Sequence, residues 1–110
     1  MKTIILTILA IMFLAGPALA DGETATITAQ NTFTDAWNVQ GRFNISISGT
    51  WVGTVTVQRS FDQGGTWHDV ATYTGNTQTT GNEPSAKVVW RIGIKTGEYT
   101  SGSAVVALQR

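Results

Sequence analysis

Apolar and polar residues alternate with a period of two through much of the chain after residue 20. Thr, Val and Ile are frequent in these stretches, as expected for a pleated, half-buried surface, and glycines separate the stretches at short intervals. This alternation predicts strands, and no stretch there shows the period of about 3.6 residues of an amphipathic helix. The predicted strands centre on residues 25–29, 43–47, 52–60, 67–73, 88–94 and 104–108, with a weaker one at 33–39.

About seven short strands, separated by turn residues every eight to twelve positions, are typical of an antiparallel sandwich or barrel. We therefore expect an all-β fold, an antiparallel two-sheet β-sandwich of immunoglobulin-like or fibronectin-like form, with a jelly roll or small barrel as the alternative. Residues 21–110 are predicted to form this single domain. Residues 74–86 (TGNTQTTGNEPSA) contain no large apolar side chain, and they predict a long surface loop or a loop around a weak edge strand.

The first 20 residues have the organisation of a secretory signal peptide. Lys2 supplies the positive region, residues 3–16 are almost entirely apolar, and Ala18 and Ala20 form an A-x-A cleavage site. The alternative is an uncleaved N-terminal anchor. We predict cleavage after Ala20 and a secreted or periplasmic protein without a stable membrane anchor; the absence of cysteine excludes a lipid-anchored form.

Charge and cysteine content limit the possible partners. The chain has seven basic and seven acidic side chains, so without Lys2 the acidic ones exceed the basic ones by one. Such a balance gives no field that would attract nucleic acid, and no nucleic-acid partner is expected. Because the chain has no cysteine, a domain this small depends on its core and sheet hydrogen bonds, or on assembly with copies of itself.

Residues 60–67 (SFDQGGTW) fit the pattern S-x-D-x-G-x-T-W at every defined position. The carboxylate of Asp62 is suited to accept backbone N–H groups in a turn, and Gly64 and Gly65 allow positive φ where a side chain would clash. The hydroxyls of Ser60 and Thr66 can satisfy further turn groups, and the ring of Trp67 can pack beneath the hairpin.

This segment resembles the Asp-box, a hairpin motif of sialidase-type β-propellers that also occurs singly in other exported β-rich proteins. A propeller needs at least four blades of four strands, for which this domain is too short. The resemblance therefore implies a structural hairpin made by Ser60, Asp62, Gly64, Thr66 and Trp67, and it does not imply sialidase activity.

A second resemblance covers most of the domain. The runs GRFNISISGTWVGTVTVQRSFDQGGTWHDVATY and VVWRIGIKTGEYTSGSAVVAL are similar to small β-sandwich proteins encoded in the structural gene regions of tailed phages and prophages. This resemblance implies a virion component, such as a decoration or fibre-associated domain. Because virion proteins are normally assembled in the cytoplasm, the predicted signal peptide also allows a domain of this type recruited to an exported protein.

No group of residues is arranged for catalysis or metal binding. His68 is the only histidine, and its neighbour Asp69 should point to the opposite face of a strand. One histidine without cysteine is a poor zinc set, and no calcium-loop motif occurs, although Glu83 and Asp35 in predicted loops leave a calcium ion possible. We predict no enzyme, no cofactor and no metal site.

Four tryptophans raise the question of sugar binding, because exposed aromatic rings can stack on sugar faces. Trp90 is predicted in the core and Trp67 in the hairpin, whereas Trp51 and Tyr99 lie near predicted turns and are possible ligand contacts.

The sequence thus predicts a non-enzymatic exported module with a structural or binding role, whose partner is a protein assembly and for which a homo-oligomer is possible. The alternative is a carbohydrate-binding module with a polysaccharide partner. Residues 74–86 are the expected working surface.

Overall fold

The computed structural model describes residues 21–110, and the predicted signal peptide lies outside the described residues. The described chain is all-β, as predicted, and within it no helix is long and apolar enough to cross a membrane. Its strands are β1 (Gly22–Ile27), β2 (Thr32–Phe33), β3 (Trp37–Asn38), β4 (Gly41–Gly53), β5 (Val55–Ser60), β6 (His68–Tyr73), β7 (Thr77–Glu83), β8 (Val89–Ile94) and β9 (Tyr99–Gln109).

The strands form two antiparallel sheets that pack face to face. Sheet A has the order β1-β9-β4-β7, and sheet B has the order β2-β8-β5-β6, with β3 also paired to β8. The predicted two-sheet β-sandwich is thus confirmed. Between residues 21 and 110 no strand pairing joins β6 to β7, so the two sheets do not close into a barrel.

The connections determine which kind of sandwich this is. If β2 and β3 are counted as one interrupted strand, every connection crosses from one sheet to the other except the β5–β6 hairpin. In an immunoglobulin sandwich the first two strands are neighbours in one sheet, whereas here β1 pairs with β9. The strand order is therefore that of a jelly roll, the alternative from the sequence, and not the immunoglobulin-like order.

The core lies between the inner faces of the two sheets. Alternate residues of β4 and β9 point inward, and the same alternation in β5 and β8 supplies the opposite wall. The buried side chains include Phe43, Ile45 and Ile47 of β4, Val106 and Leu108 of β9, Val55 and Val57 of β5, and Trp90, Ile92 and Ile94 of β8. Phe43 packs edge to face against Trp37 and Trp90, with ring centroids 5.6 and 4.8 Å apart.

Two segments differ in detail from the sequence prediction. The weak strand at 33–39 is interrupted: the hydroxyl of Thr34 accepts the backbone N–H of Ile92, and only β2 and β3 on either side are extended. Of the two alternatives for residues 74–86, the edge strand is the one found, since β7 pairs with β4 from Thr77 to Glu83. Its short polar residues suit an edge position, where one side of the strand remains in water.

Candidate functional site

The Ser60–Trp67 hairpin connects β5 to β6 and is held by side-chain hydrogen bonds. The Ser60 hydroxyl donates to Asp62 Oδ1 at 2.6 Å and accepts the Gly64 N–H at 2.8 Å. Asp62 Oδ1 also accepts the Thr66 N–H at 2.8 Å. The Ser60 hydroxyl first, and then the Thr66 N–H, lower the pKa of the Asp62 carboxyl below its ordinary value. The carboxylate is therefore engaged in holding the turn.

The backbone of this hairpin differs from the prediction at one residue. Positive φ occurs at Gln63 (59°) and Gly64 (97°), whereas Gly65, which would also allow it, does not adopt it. A side chain at position 65 would instead meet the carboxylate of Asp62, 3.0 Å from a Cβ placed there. The ring of Trp67 packs against the turn. A Cβ placed on Gly64 would lie 3.5 Å from this ring.

The two predicted ligand contacts, Trp51 and Tyr99, lie on neighbouring strands of sheet A. Trp51 is inside β4 rather than at a turn, because β4 continues to Gly53. Both rings are half-buried against the core, Trp51 Nε1 donates to Asn76 Oδ1 at 2.9 Å, and the Tyr99 hydroxyl donates to the carbonyl of Gly102 at 2.9 Å. Their polar atoms are thus bonded within the molecule, and a role in ligand contact stays a prediction.

A concave surface of the described domain lies in the gap between β6 and β7, which are edge strands of sheet B and sheet A. We call this gap the edge groove; its volume is about 660 Å³. Ile45 and Trp90 form its floor, while Ala71 and Tyr73 of β6 and Gly81 of β7 are among the residues along its sides. The floor is therefore apolar, and the groove is open to solvent along its length.

Each end of the edge groove is closed by a connection between the sheets. At one end, Arg59 Nη1 of β5 lies 3.1 Å from Glu83 Oε1 of β7. Glu83 is 1% exposed, and its oxygens also accept N–H groups from the Trp90 indole and the Ser85 backbone, both at 3.0 Å. At the other end, the short loop of residues 74–76 links β6 to β7.

The position of Glu83 corrects its assignment to a loop. It ends a strand and its carboxylate is occupied by N–H donors, so it does not present free oxygens to a calcium ion. Within residues 21–110, no three His, Cys, Asp or Glu side chains come together as a possible metal site.

Exposed apolar side chains lie at the mouth of the edge groove. Phe61 is 57% exposed and Val70 is 46% exposed. The Phe61 ring lies 5.7 Å from the ring of His68, and the guanidinium of Arg59 lies 4.9 Å from the Phe61 centroid. Sequence reasoning missed both apolar residues; a phenylalanine at a turn position, between Ser60 and Asp62, was the available signal.

His68 and Asp69 do not pair. His68 lines the edge groove, whereas the Asp69 carboxylate accepts hydrogen bonds from Gln58 Nε2 at 2.8 Å and Lys95 Nζ at 2.7 Å. The Gln58 amide first, and then Lys95, lower the pKa of the Asp69 carboxyl. This arrangement gives His68 no carboxylate to orient it as a general base.

The outer face of sheet B carries a stacked arginine that sequence reasoning also missed. The Arg91 guanidinium lies 3.9 Å from the ring centroid of Phe33 and 4.2 Å from that of Trp67, and its Nε donates to Gln58 Oε1 at 2.8 Å. Burial lowers the pKa of the Arg91 guanidinium. The stack joins β2, β8 and the end of the Ser60–Trp67 hairpin, so it stabilises the fold around the hairpin.

Comparison with known proteins gives no relative for this chain. No family model matches it, and searches of curated proteins and of solved structures found no match.

Proposed function

We propose that this protein is a non-enzymatic exported β-sandwich module that holds an extended segment of a protein partner in the edge groove. The observation that carries the proposal is the gap between two edge strands above an apolar floor. Packed sheets lie about 10 Å apart, and strands within a sheet lie about 4.8 Å apart. Because β6 and β7 belong to different sheets, the gap between them is about two strand spacings wide. One strand added in the gap would therefore lie about one strand spacing from each of them.

The free edges of the two strands supply the chemistry for such a partner. Among residues 21–110, β6 pairs only with β5 and β7 only with β4, so each strand has backbone N–H and C=O groups directed away from its sheet. A partner strand can form main-chain hydrogen bonds with these groups, as in β-strand addition. Its inward side chains would be apolar, since they would lie over Ile45 and Trp90.

The two edges are not equally protected against strand addition. Opposite β6, the register shifts between Val57 and Gln58, which leaves Val70 as the extra residue of a bulge. β7 is in regular register with β4 from Thr77 to Glu83 and contains neither lysine nor proline, two of the residues that commonly protect an edge. We therefore expect the partner strand to take most of its main-chain hydrogen bonds from β7.

The other parts of the proposal have separate support. Export rests on the signal peptide predicted for residues 1–20, and a role in a cell-surface or virion-like assembly agrees with the phage-type resemblance. A non-enzymatic role is supported by the engagement of Asp62, Asp69 and Glu83 in hydrogen bonds that hold the fold.

The test uses a displayed library of random dodecapeptides selected on the purified protein. Enriched peptides should contain alternating apolar residues and should shift the amide NMR signals of β6 and β7. Val70→Arg and Phe61→Asp should weaken their binding at least tenfold, equivalent to about 1.4 kcal/mol. Val52→Arg is the matched control, because Val52 is also an exposed valine (56%, against 46% for Val70) but lies on the outer face of sheet A.

Two results would overturn the proposal. One is a selection that yields no peptide perturbing β6 or β7. The other is a set of selected peptides that bind the Val70→Arg and Val52→Arg variants equally well.

A carbohydrate-binding module is the second candidate, and one observation favours it. The edge groove combines the aromatic rings of Phe61 and Tyr73 with the hydroxyl of Thr80 and the amide of Asn82, the groups that bind sugar faces and hydroxyls. Tryptophan fluorescence titrated with a panel of soluble polysaccharides tests this candidate. A response lost in Phe61→Ala supports a sugar site in the edge groove, a response lost only in Trp51→Ala supports a site at Trp51, and no response to the panel rejects the candidate.

A further inference from the structure

In the described part of the chain, residues 21–110, the outer face of sheet A has no charged side chain across its centre. The residues on this face alternate with the core residues of the same strands, and all are short, polar and uncharged, or small and apolar. Those across the centre are Thr24 and Thr26 of β1, Asn44, Ser46, Ser48 and Thr50 of β4, Gln78 and Thr80 of β7, and Ser103, Val105 and Ala107 of β9. Val52, Asn82 and Ser101 lie on the same face nearer its ends. Arg42 lies at the margin, near the start of β4.

The outer face of sheet B is different. It carries the charged side chains of Asp69, Arg91 and Lys95. Monomeric domains commonly use charges of both signs on their solvent-facing surfaces, whereas the centres of protein interfaces are depleted in charge. The outer face of sheet B therefore has the composition of a surface in water, and the outer face of sheet A has that of a protein interface.

Val105 lies at the centre of the uncharged face and is 40% exposed. In the sheet register it is flanked by Thr26 of β1 and Ser48 of β4, and the next outward residue, Ala107, is flanked by Thr24 and Ser46. These side chains are short, so a second sheet can approach to the usual sheet-packing distance of about 10 Å.

We propose that two copies of this chain associate through the outer faces of their A sheets. In a two-fold dimer the same patch meets itself, and a face without charges brings no like-charge repulsion across the axis. Ser, Thr, Asn and Gln side chains can donate and accept hydrogen bonds, so they can pair with their own copies.

The size of the face is sufficient for this contact. β4 and β9 are 13 and 11 residues long, and β1 and β7 lie beside them. At about 3.4 Å per residue and about 4.8 Å between strands, the four-stranded face covers roughly 600 Å². Stable interfaces bury about 600–1,000 Å² per partner, so the face reaches the lower end of that range. Thr80 lies on this face and also lines the edge groove, so the contact reaches the rim of the groove on the β7 side. It leaves β6 and the floor of Ile45 and Trp90 uncovered.

Sedimentation equilibrium over a concentration series tests the proposal. Val105→Arg places a charge at the centre of the face, and Val70→Arg is the matched control, since Val70 is similarly exposed (46%) but lies on β6. The wild-type protein and Val70→Arg should form a dimer, while Val105→Arg should raise the dissociation constant at least a hundredfold. Thr26→Lys, at the neighbouring position on β1, should have the same effect, and near-UV circular dichroism checks that the variants fold.

Three outcomes would overturn the proposal. The wild-type protein could remain a monomer up to about 1 mM, a concentration at which even weak specific contacts form. Folded Val105→Arg and Thr26→Lys could dimerise as the wild-type protein does. Alternatively, Val70→Arg could abolish the dimer and Val105→Arg leave it intact, which would place the contact at the edge groove.

Discussion

Arg59 and Glu83 form an ion pair that joins the two sheets at one end of the edge groove. Arg59 belongs to β5 in sheet B and Glu83 to β7 in sheet A, and their side chains are 35% and 1% exposed. Since Glu83 also accepts the indole N–H of Trp90 on β8, the end of the edge strand β7 is attached to two strands of the opposite sheet. The width of the groove at this end therefore depends on a single buried carboxylate.

Replacement of Glu83 should destabilise the domain. Glu83→Ala leaves the indole N–H of Trp90 and the backbone N–H of Ser85 without their acceptor, and we expect a loss of about 2 kcal/mol or more in the free energy of unfolding. Glu83→Gln keeps a carbonyl acceptor and should lose less. Urea denaturation measures both variants. The control Asp35→Ala changes an exposed acidic residue and should stay within about 0.5 kcal/mol; equal losses in Glu83→Ala and Asp35→Ala would contradict the assigned role.

The stacked arginine predicts a difference between Arg91→Lys and a surface control. Lysine keeps the charge but loses the planar group between Phe33 and Trp67 and the geometry of the hydrogen bond to Gln58. We expect a loss of about 1 kcal/mol in unfolding free energy and a changed near-UV circular dichroism signal from Trp67. Arg42→Lys, at an exposed position, should change neither quantity, and a similar result for both variants would argue against the stack as a stabilising contact.

The Ser60–Trp67 hairpin should lose stability in acid. The Ser60 hydroxyl and the Thr66 N–H lower the pKa of Asp62 in the folded protein, relative to an ordinary value of 3.8. Because the folded-state pKa is the lower one, the stabilisation is complete above the unfolded-state value and is lost as the pH falls through the folded-state value. Denaturation curves below about pH 5 should therefore depend less on pH in Asp62→Asn than in the wild-type protein. Asp69 has a shift in the same direction, so Asp69→Asn must be measured in parallel.

Two glycine substitutions test the backbone on either side of β6. Gly64 has a φ of 97°, in the left-handed region, and Gly64→Ala should cost about 1–2 kcal/mol of unfolding free energy. Gly75 has no positive φ, and a Cβ at this position would meet no atom within 4 Å. Gly75→Ala should therefore leave stability unchanged or raise it by up to about 1 kcal/mol. Thermal unfolding distinguishes the two results, and an equal effect would contradict the turn geometry.

Local patterns were sufficient to predict most of the strands and their inward faces, although β7 was expected only as a weak edge strand within a loop. The alternation of Phe43, Ile45 and Ile47 indicated the buried side of β4, because side chains in a strand alternate between the two faces. Local patterns could not predict the order of the strands in the sheets. β1 pairs with β9, and no local pattern in either strand identifies the other as its partner. The jelly-roll order was therefore only an alternative at the level of sequence.

In the candidate site, too, contacts within one turn could be predicted from the sequence, whereas contacts between the two sheets could not. The hydrogen bonds of Ser60 and Asp62 lie within one turn, so the motif was enough to anticipate them. Glu83 was expected in a loop, because its burial depends on Arg59 and Trp90, which come from the opposite sheet. The edge groove likewise exists only once the two sheets are in place.

The pairing of β1 with β9 affects the order in which the domain can fold during synthesis. Gly22 lies opposite Gln109, and the N–H of Arg110 donates to the carbonyl of Asp21 at 2.9 Å, so the two ends of the domain meet. During synthesis β1 has no partner in its sheet until β9 emerges, so sheet A is not complete before then. A circular permutant that joins residue 110 to residue 21 and opens the chain at Gly75 would place these strands next to each other in sequence. It should fold faster, because the longest-range pairing becomes local.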